Sequence, residues 1–331
     1  VYGQRHITDV LRQEVKMQSV SHAYLFSGSR GTGKTTCAKI LAKAVNCEHP
    51  VEGNPCGQCD SCKSIESGRA MDVIEMDAAS NNGVDYIREI KEDVVYSPAS
   101  VRYRVYILDE VHMLTEQAFN ALLKTLEEPP EGVIFILATT EIHKIPATVL
   151  SRCLRFEFRR ISAEQLAKRL LYIADQESIS IDTEAVYLIS SLAGGGMRDA
   201  ISMLELCAAA KEHVTVQTVR DVMGVTGRED VEKLMRAVYE NDYRTIFSII
   251  RDTFNSSKDI EVFMEEVLSF NRDLLLIKAC GTKAQADLFE LTEEEFERCA
   301  KLADLFAQEK LLYYIHVLEG AYIQMSRTKN A

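Results

Sequence analysis

The stretch from His22 to Val45 constrains this chain more than any other. An apolar run, His22–Ser27, leads into Gly28-Ser29-Arg30-Gly31-Thr32-Gly33-Lys34-Thr35, and helix-forming residues follow from Thr36 to Val45. The eight residues fit G-x-x-x-x-G-K-[ST] at every position, between a strand and a helix as the pattern requires. The glycines let main-chain N–H groups turn inward around phosphate oxygens. The helix start adds unpaired donors and a positive dipole end. Lys34 offers a mobile charge for the outer phosphates, and Thr35 a hydroxyl for Mg²⁺. The expected nucleotide contacts therefore run from Gly28 through Thr36, with Lys34 also serving catalysis.

A strand feeding a helix in this way belongs to a parallel sheet. Four more short apolar runs are spaced through the first 160 residues: Val73–Met76, Tyr103–Leu108, Val133–Ala138 and Leu154–Phe158. They lack clean alternation, as strands buried on both faces do. Helical stretches between them imply right-handed βαβ crossovers. The six prolines stand at 50, 55, 98, 129, 130 and 146, so none follows Pro146. Their absence permits long helices there. Leu166, Leu170, Ile173 and Ala174 recur at helical intervals, as do Leu311, Tyr314, Ile315, Leu318 and Tyr322. Residues 1–160 are expected to be α/β and the rest all helical. Breaks at Gly194-Gly195-Gly196 and Met223–Arg228 divide the helical part, which gives domains at 1–160, 161–225 and 226–331.

The run Val105–Leu108 ends in Asp109-Glu110. Asp109 can hold Mg²⁺, usually through water. Glu110 is placed to polarise a water attacking a γ-phosphate. An acidic turn after a strand is common by itself; the complete phosphate loop is what favours the catalytic reading.

Four of the nine cysteines form Cys47-x8-Cys56-x2-Cys59-x2-Cys62. Two interlocked C-x-x-C steps bring three sulfurs together, and Cys47 closes a tetrahedron. Four soft ligands with no open position indicate structural Zn²⁺ in a module over 47–62. An iron–sulfur cluster and a redox dithiol are the rivals. Cys37, Cys207, Cys280 and Cys299 read as isolated core or surface thiols. An odd count in a long chain argues against a disulfide framework.

The net charge of −12 argues against a free-standing nucleic-acid binder, although it leaves room for a local basic face. No apolar run approaches the roughly 20 residues that span a bilayer. The start, Val1 to His6, lacks a basic-then-apolar targeting pattern. A cytoplasmic location without membrane partners is expected, in a trimmed chain, since an initiator Met is missing.

Asp109-Glu110-x-His112, after the phosphate loop, resembles the AAA+ branch of P-loop ATPases. Asp109–Leu114 is especially similar to bacterial clamp-loader subunits of the tau/gamma type, which belong to the DNA polymerase III holoenzyme. The resemblance rests on specific motifs over residues 1 to about 225, and on helical pattern alone beyond Thr226. It implies an ATPase fold with a zinc insert directly after the phosphate-loop helix, a small helical lid and a helical collar. Val133–Thr140 resembles a sensor-1 strand, with Thr140, or else Thr139, bonding the γ-phosphate or the attacking water. Ser151-Arg152-Cys153 resembles the signature in which the Arg enters a neighbouring subunit's ATP site as a finger. Gly194–Ala200 resembles a sensor-2 motif, with Arg198 on the phosphates. Gln4–Val10 is similar to the adenine-side segment. Asp77–Gly83, before a helix starting near Val84, resembles a segment that faces duplex DNA, with Arg88 assisting; helix capping by Ser80, Asn81 or Asn82 is the other reading.

The implied cofactors are ATP, Mg²⁺ and Zn²⁺. The implied partners are delta and delta-prime type subunits and further copies of this chain in a pentamer, a sliding clamp, and primer–template DNA. A complete phosphate loop favours the motor subunit over delta-prime. The longer family form carries regions for the polymerase and helicase, and this chain is expected to end before them. Another AAA+ DNA-remodelling or branch-migration motor is the first alternative, and a nucleotide-binding scaffold without turnover the second.

Overall fold

The computed structural model describes residues 1–94, 101–224, 228–255, 260–280 and 293–328. The elements in chain order begin with α1 (Arg5–Met17), β1 (Ala23–Gly28), α2 (Lys34–Val45), α3 (Asp60–Glu66), β2 (Val73–Asp77) and α4 (Val84–Asp93). Then come β3 (Arg104–Asp109), α5 (Glu116–Glu127), β4 (Val133–Thr139), α6 (Ala147–Leu150), β5 (Leu154–Phe158) and α7 (Ala163–Gln176). Next are β6 (Ser180–Ile181), α8 (Thr183–Leu192), α9 (Met197–Ala210), β7 (His213–Val214) and α10 (Val216–Met223). The last are α11 (Arg228–Glu240), α12 (Tyr243–Asn255), α13 (Ile260–Cys280), α14 (Glu293–Leu305) and α15 (Gln308–Thr328). The chain forms two compact units: Val1–Ser178 with Val186–Glu205, and Ile179–Ala185 with Leu206–Ala331.

In the first unit five strands form one sheet in the order β2-β3-β4-β1-β5, and every pair is parallel. Successive residues point to opposite faces, and this sheet buries both. Leu25, Tyr106, Leu108, Phe135 and Leu137 pack toward Ile87, Ile90, Phe119, Leu122 and Leu126 of α4 and α5. Their neighbours Tyr24, Phe26, Val105, Ile107, Ile134 and Ile136 pack toward Ile7 and Leu11 of α1 and Cys37, Ala38 and Leu41 of α2. That double burial explains the unalternating apolar runs in the sequence. Each expected strand is present within one residue at either end. Helix α2 begins two residues earlier than expected, because Gly33 at φ 98° already caps it.

One charged pair lies inside this unit. Arg104 donates from Nε and Nη2 to Asp72 Oδ1 at 3.2 and 3.1 Å, and Asp72 is fully buried. Asp93 accepts from the same guanidinium and from the Tyr106 hydroxyl. These bonds tie the entries of β2 and β3 to the end of α4.

Helix α7 buries Leu166, Ala167, Leu170 and Ala174, and leaves Ile173 half-buried. In the second unit β6 and β7 form a two-residue parallel pair, which departs from the all-helical expectation. Ser180 and Asp182 both bond the ring of His213. A strand of two residues carries too little periodicity to register in sequence. Helices α11, α13, α14 and α15 share a core of Val231, Leu234, Phe263, Phe270, Leu274, Leu302 and Leu311, which Phe306 joins from the turn between α14 and α15. The second expected break opens at Gly224, which ends α10 at φ 66°; residues 225–227 lie outside the described residues. Among the described residues no helix is long and apolar enough to cross a membrane.

Asp72→Ala leaves a buried guanidinium short of its main partner. It is expected to destabilise the first unit by about 3 kcal/mol, measured as an earlier first transition in urea unfolding.

Candidate nucleotide site and cysteine cluster

Three glycines shape the phosphate loop. Gly28 (φ 143°), Gly31 (φ 75°) and Gly33 (φ 98°) all take positive φ, which L side chains rarely adopt. A Cβ on Gly28 would also lie 2.3 Å from the Phe158 carbonyl oxygen. Lys34 is buried and folds back over the loop, donating to the Gly28 and Ser29 carbonyls at 2.9 Å each. Thr32 donates to the Ser29 carbonyl at 2.8 Å. Burial pushes the Lys34 ammonium below its ordinary range, and the charges of Glu110 and Asp109 oppose that shift.

Parallel pairing of β1 and β3 on either side of β4 brings the loop to the acidic pair. Thr35 Oγ1 donates to Asp109 Oδ2 at 2.7 Å, and the Glu110 amide donates to Asp109 Oδ1 at 2.9 Å. Glu110 takes a left-handed backbone, φ 46° and ψ 44°, which costs a non-glycine residue about 1–3 kcal/mol. Its Oε2 accepts from the Thr140 hydroxyl at 2.9 Å and the Thr140 amide at 3.3 Å. Of the two candidate threonines, Thr140 therefore meets the acidic pair. Thr139 is fully buried and lies 3.1 Å from His112 Nδ1.

A cavity of about 470 Å³ opens over these groups, within the usual range for small-molecule sites. Arg30 through Thr36, Asp109, Glu110 and Arg198 line it; Gly28, Ser29 and Thr140 do not. Its apolar wall is Val1, Tyr2, Ile161, Met197 and Ile201. The segment expected beside the base, Gln4–Val10, is absent from that lining. Gln4 is instead fully buried, exchanging hydrogen bonds with the main chain of Arg159. No motif marked Val1, Tyr2 or Ile201, whose contribution comes only from folding.

Arg198 stands in the first turn of α9, and that turn touches the loop directly. The Met197 amide donates to the Gly31 carbonyl at 3.0 Å. A Cβ on Gly31 would meet Asp199 Oδ2 at 2.8 Å. Arg152 lies elsewhere, at the end of α6. It donates to Glu127 Oε1 at 2.6 Å and to the Thr148 carbonyl at 2.7 Å.

The segment before α4 folds around Asp77, which accepts from the Ala79 amide and the Ser80 hydroxyl. Gly83 occupies the N-cap without a side-chain bond, so Ser80, Asn81 and Asn82 do not cap α4. Arg88 pairs with Asp85 at 3.0 Å.

The sulfurs of Cys47, Cys56, Cys59 and Cys62 all lie within 4.8 Å of one another. A tetrahedral ion with Zn–S near 2.3 Å needs sulfurs about 3.8 Å apart; Cys47 and Cys59 stand at 4.0 Å. Main-chain amides turn toward them: Cys56 N to Cys47 Sγ at 3.2 Å, Cys59 N to Cys56 Sγ at 3.3 Å, and Cys62 N to Cys59 Sγ at 3.5 Å. The amides of Gln58 and Cys59 pull Cys56 down to about 6, while burial pushes Cys62 up to about 12. The donor set fits a single soft metal ion. Cys37, Cys207 and Cys299 are buried apart from the cluster, and Cys280 is exposed.

Three family models match consecutive parts of the chain. Residues 3–162 match "DNA polymerase III, delta subunit", 165–209 "DNA polymerase III clamp loader subunit, ATPase lid domain", and 214–322 "DNA polymerase III subunits gamma and tau domain III". DNA polymerase III subunit gamma of Buchnera aphidicola is 41% identical over 271 residues, 82% of this chain and 75% of that protein. The chain belongs to the DNA polymerase III tau/gamma family. The Bacillus subtilis tau subunit is 42% identical over 100% of the chain, and the Escherichia coli tau subunit 38% over 97%. The chain spans 58% and 50% of those two relatives, so it corresponds to about half their length. A solved structure of the Thermotoga maritima RuvB Holliday junction branch migration motor is similar in fold, with TM-score 0.52 and 17% identity. That likeness covers 73% of this chain and 78% of RuvB. That likeness bears on the fold alone, while the family rests on the sequence relatives.

Gly28→Ala places a methyl against fixed backbone at a positive φ. It is expected to lower the thermal midpoint of the first unit by on the order of 5–10 °C. Gly83→Ala, at φ −78° with nothing within 4 Å of the added carbon, is expected to stay within about 1 kcal/mol of the parent. Calorimetric scans of both variants check the contrast.

Proposed function

We propose that this chain is the ATP-driven motor part of a bacterial sliding-clamp loader. ATP binding and hydrolysis would open the clamp and place it on primer–template DNA. One observation carries the reading: in a tau/gamma chain, a complete phosphate loop is hydrogen-bonded through Thr35 to Asp109, and Glu110 and Thr140 follow in one connected line.

Main-chain amides of Gly28 to Thr36 and the ammonium of Lys34 would hold the phosphates, with the base against Tyr2, Ile161 and Ile201. Thr35 and Asp109 offer the oxygens suited to Mg²⁺. When bound, that ion would neutralise charge on the phosphate oxygens. Glu110 would take the proton of the attacking water at its carboxylate, and Thr140 would hold that carboxylate in place. Arg198, in the turn that already bonds Gly31, would report the phosphates to the lid. Arg152, just past α6 and outside the cavity lining, would serve the site of an adjacent subunit, making turnover depend on assembly.

The three-domain division at 1–160, 161–225 and 226–331 goes with this reading. So do delta and delta-prime type subunits and further copies of the chain in a pentamer, a sliding clamp, and a cytoplasmic location. Asp77–Gly83 and Arg88 would face the DNA backbone. The four cysteines would hold structural Zn²⁺, their sulfurs and amides bracing 47–62 beside α2.

Two outcomes are expected. Glu110→Gln should keep ATP binding and lose turnover by at least about 100-fold, measured as ATP hydrolysis with clamp, partner subunits and primed DNA; unchanged clamp loading would reject the motor reading. Elemental analysis should find one zinc per chain, lost in Cys59→Ser.

A further inference from the structure

His112 sits two residues beyond the catalytic carboxylate, and the nucleotide chemistry described above gives it no task. Its side chain is only 7% exposed, yet each ring nitrogen faces a carboxylate. Nδ1 lies 3.3 Å from Glu110 Oε2 and 3.1 Å from Thr139 Oγ1. Nε2 lies 3.3 Å from Glu141 Oε1. The ring is fixed at its base, since the turn that carries it is closed by Met113 N to Glu110 O at 2.9 Å and Val111 is fully buried.

Glu141 is held as firmly on the other side. Its amide donates to Thr139 Oγ1 at 3.0 Å, and its Oε1 accepts from Lys144 at 2.9 Å. The bond from Lys144 keeps its carboxyl below the usual carboxylate range. Thr139 thus touches both His112 and Glu141, and Thr140, the next residue, touches Glu110. The end of β4 is a rigid template: one threonine braces the histidine and the next braces the glutamate.

We propose that His112 and Glu141 are positioning residues for Glu110. In this arrangement Glu141 orients the imidazole, and the imidazole sets where Glu110 Oε2 stands relative to the phosphate loop. The physical need is visible in Glu110 itself. Its backbone is strained and its side chain is one-third exposed, and the Thr140 hydroxyl and amide hold Oε2 from the β4 side only. The ring, held between two carboxylates, meets the same oxygen from the side of its own turn and completes the placement that Thr140 begins. Displacing a catalytic group by about 1 Å costs up to roughly 100-fold in rate, so losing this guidance reduces turnover without touching the groups that grip the phosphates.

The proposal rests on Glu110 acting in ATP hydrolysis, and the test separates the two ideas. Steady-state ATP turnover is measured for the full chain assembled with its loader partners on primed DNA. The variants are Glu141→Gln, His112→Asn (which imitates the Nδ1 edge), His112→Gln (which imitates the Nε2 edge) and the double variant H112N/E141Q. Each single variant is expected to lose about tenfold in kcat. The KM and Kd for ATP should stay within about twofold and the thermal midpoint should be unchanged, a split that a merely structural role does not produce. Because the residues act in series, the double variant is expected to fall no further than its worse parent. Glu141→Gln turning over at the parent rate overturns the proposal, as do losses that multiply in the double variant or that track ATP affinity. Glu141 is partly exposed, so its variant reads out even where a His112 variant fails to fold. If the parent chain binds ATP and never hydrolyses it, the motor reading falls together with this one. If the parent hydrolyses and Glu141→Gln matches it, only the positioning role falls.

Discussion

The hydrogen bond from Thr35 to Asp109 joins two strands that are not neighbours. Strands β1 and β3 flank β4, so their ends stand about 10 Å apart, two strand spacings. The phosphate loop must rise from β1, turn through three positive-φ glycines and bring the first turn of α2 back over the end of β4. Only then does the Thr35 hydroxyl reach the Asp109 carboxylate. Parallel pairing is what makes this possible, because it puts the carboxyl ends of β1, β3 and β4 on one edge, where ligands of open α/β sheets bind. Glu110 and Thr140 are simply the next residues past β3 and β4 on that edge.

Much of this was legible in the sequence, for a physical reason. A phosphate loop is a local object whose glycines, lysine and hydroxyl act through adjacent main chain, so eight consecutive residues specify it. The buried strands were equally plain, because double burial demands unbroken apolar runs. Four cysteines within sixteen residues have little choice but to converge. What the sequence hid are the meetings between distant segments. Nothing local shows that Met197 bonds Gly31, that Gln4 is spent on the main chain of Arg159, or that Val1 and Tyr2 wall the cavity. The choice between Thr139 and Thr140 required the register of β4 beside β3, since neighbouring residues on a strand face opposite ways. The capping alternative before α4 does not hold, because Gly83 takes the N-cap position and the Ser80 hydroxyl goes to Asp77 instead.

The cysteine cluster and the buried Arg104–Asp72 pair share a logic. Both hold segments that the sheet itself does not order: residues 47–62 beside α2, and the entries of β2 and β3. Neither lines the nucleotide cavity. They maintain the framework, while the few groups along the carboxyl edge carry the proposed chemistry. That separation lets the site tolerate strain at Glu110, because the surrounding sheet is rigid enough to enforce it.

The central claim is that this loop grips a triphosphate through its amides and Lys34. Titration calorimetry of the purified chain with Mg-ATP tests it most directly. The account predicts one site per chain, with binding weakened at least tenfold in Lys34→Ala, as loss of a charge-assisted hydrogen bond requires. Heats showing that the chain ignores adenine nucleotides, or that Lys34→Ala binds as the parent does, would contradict it.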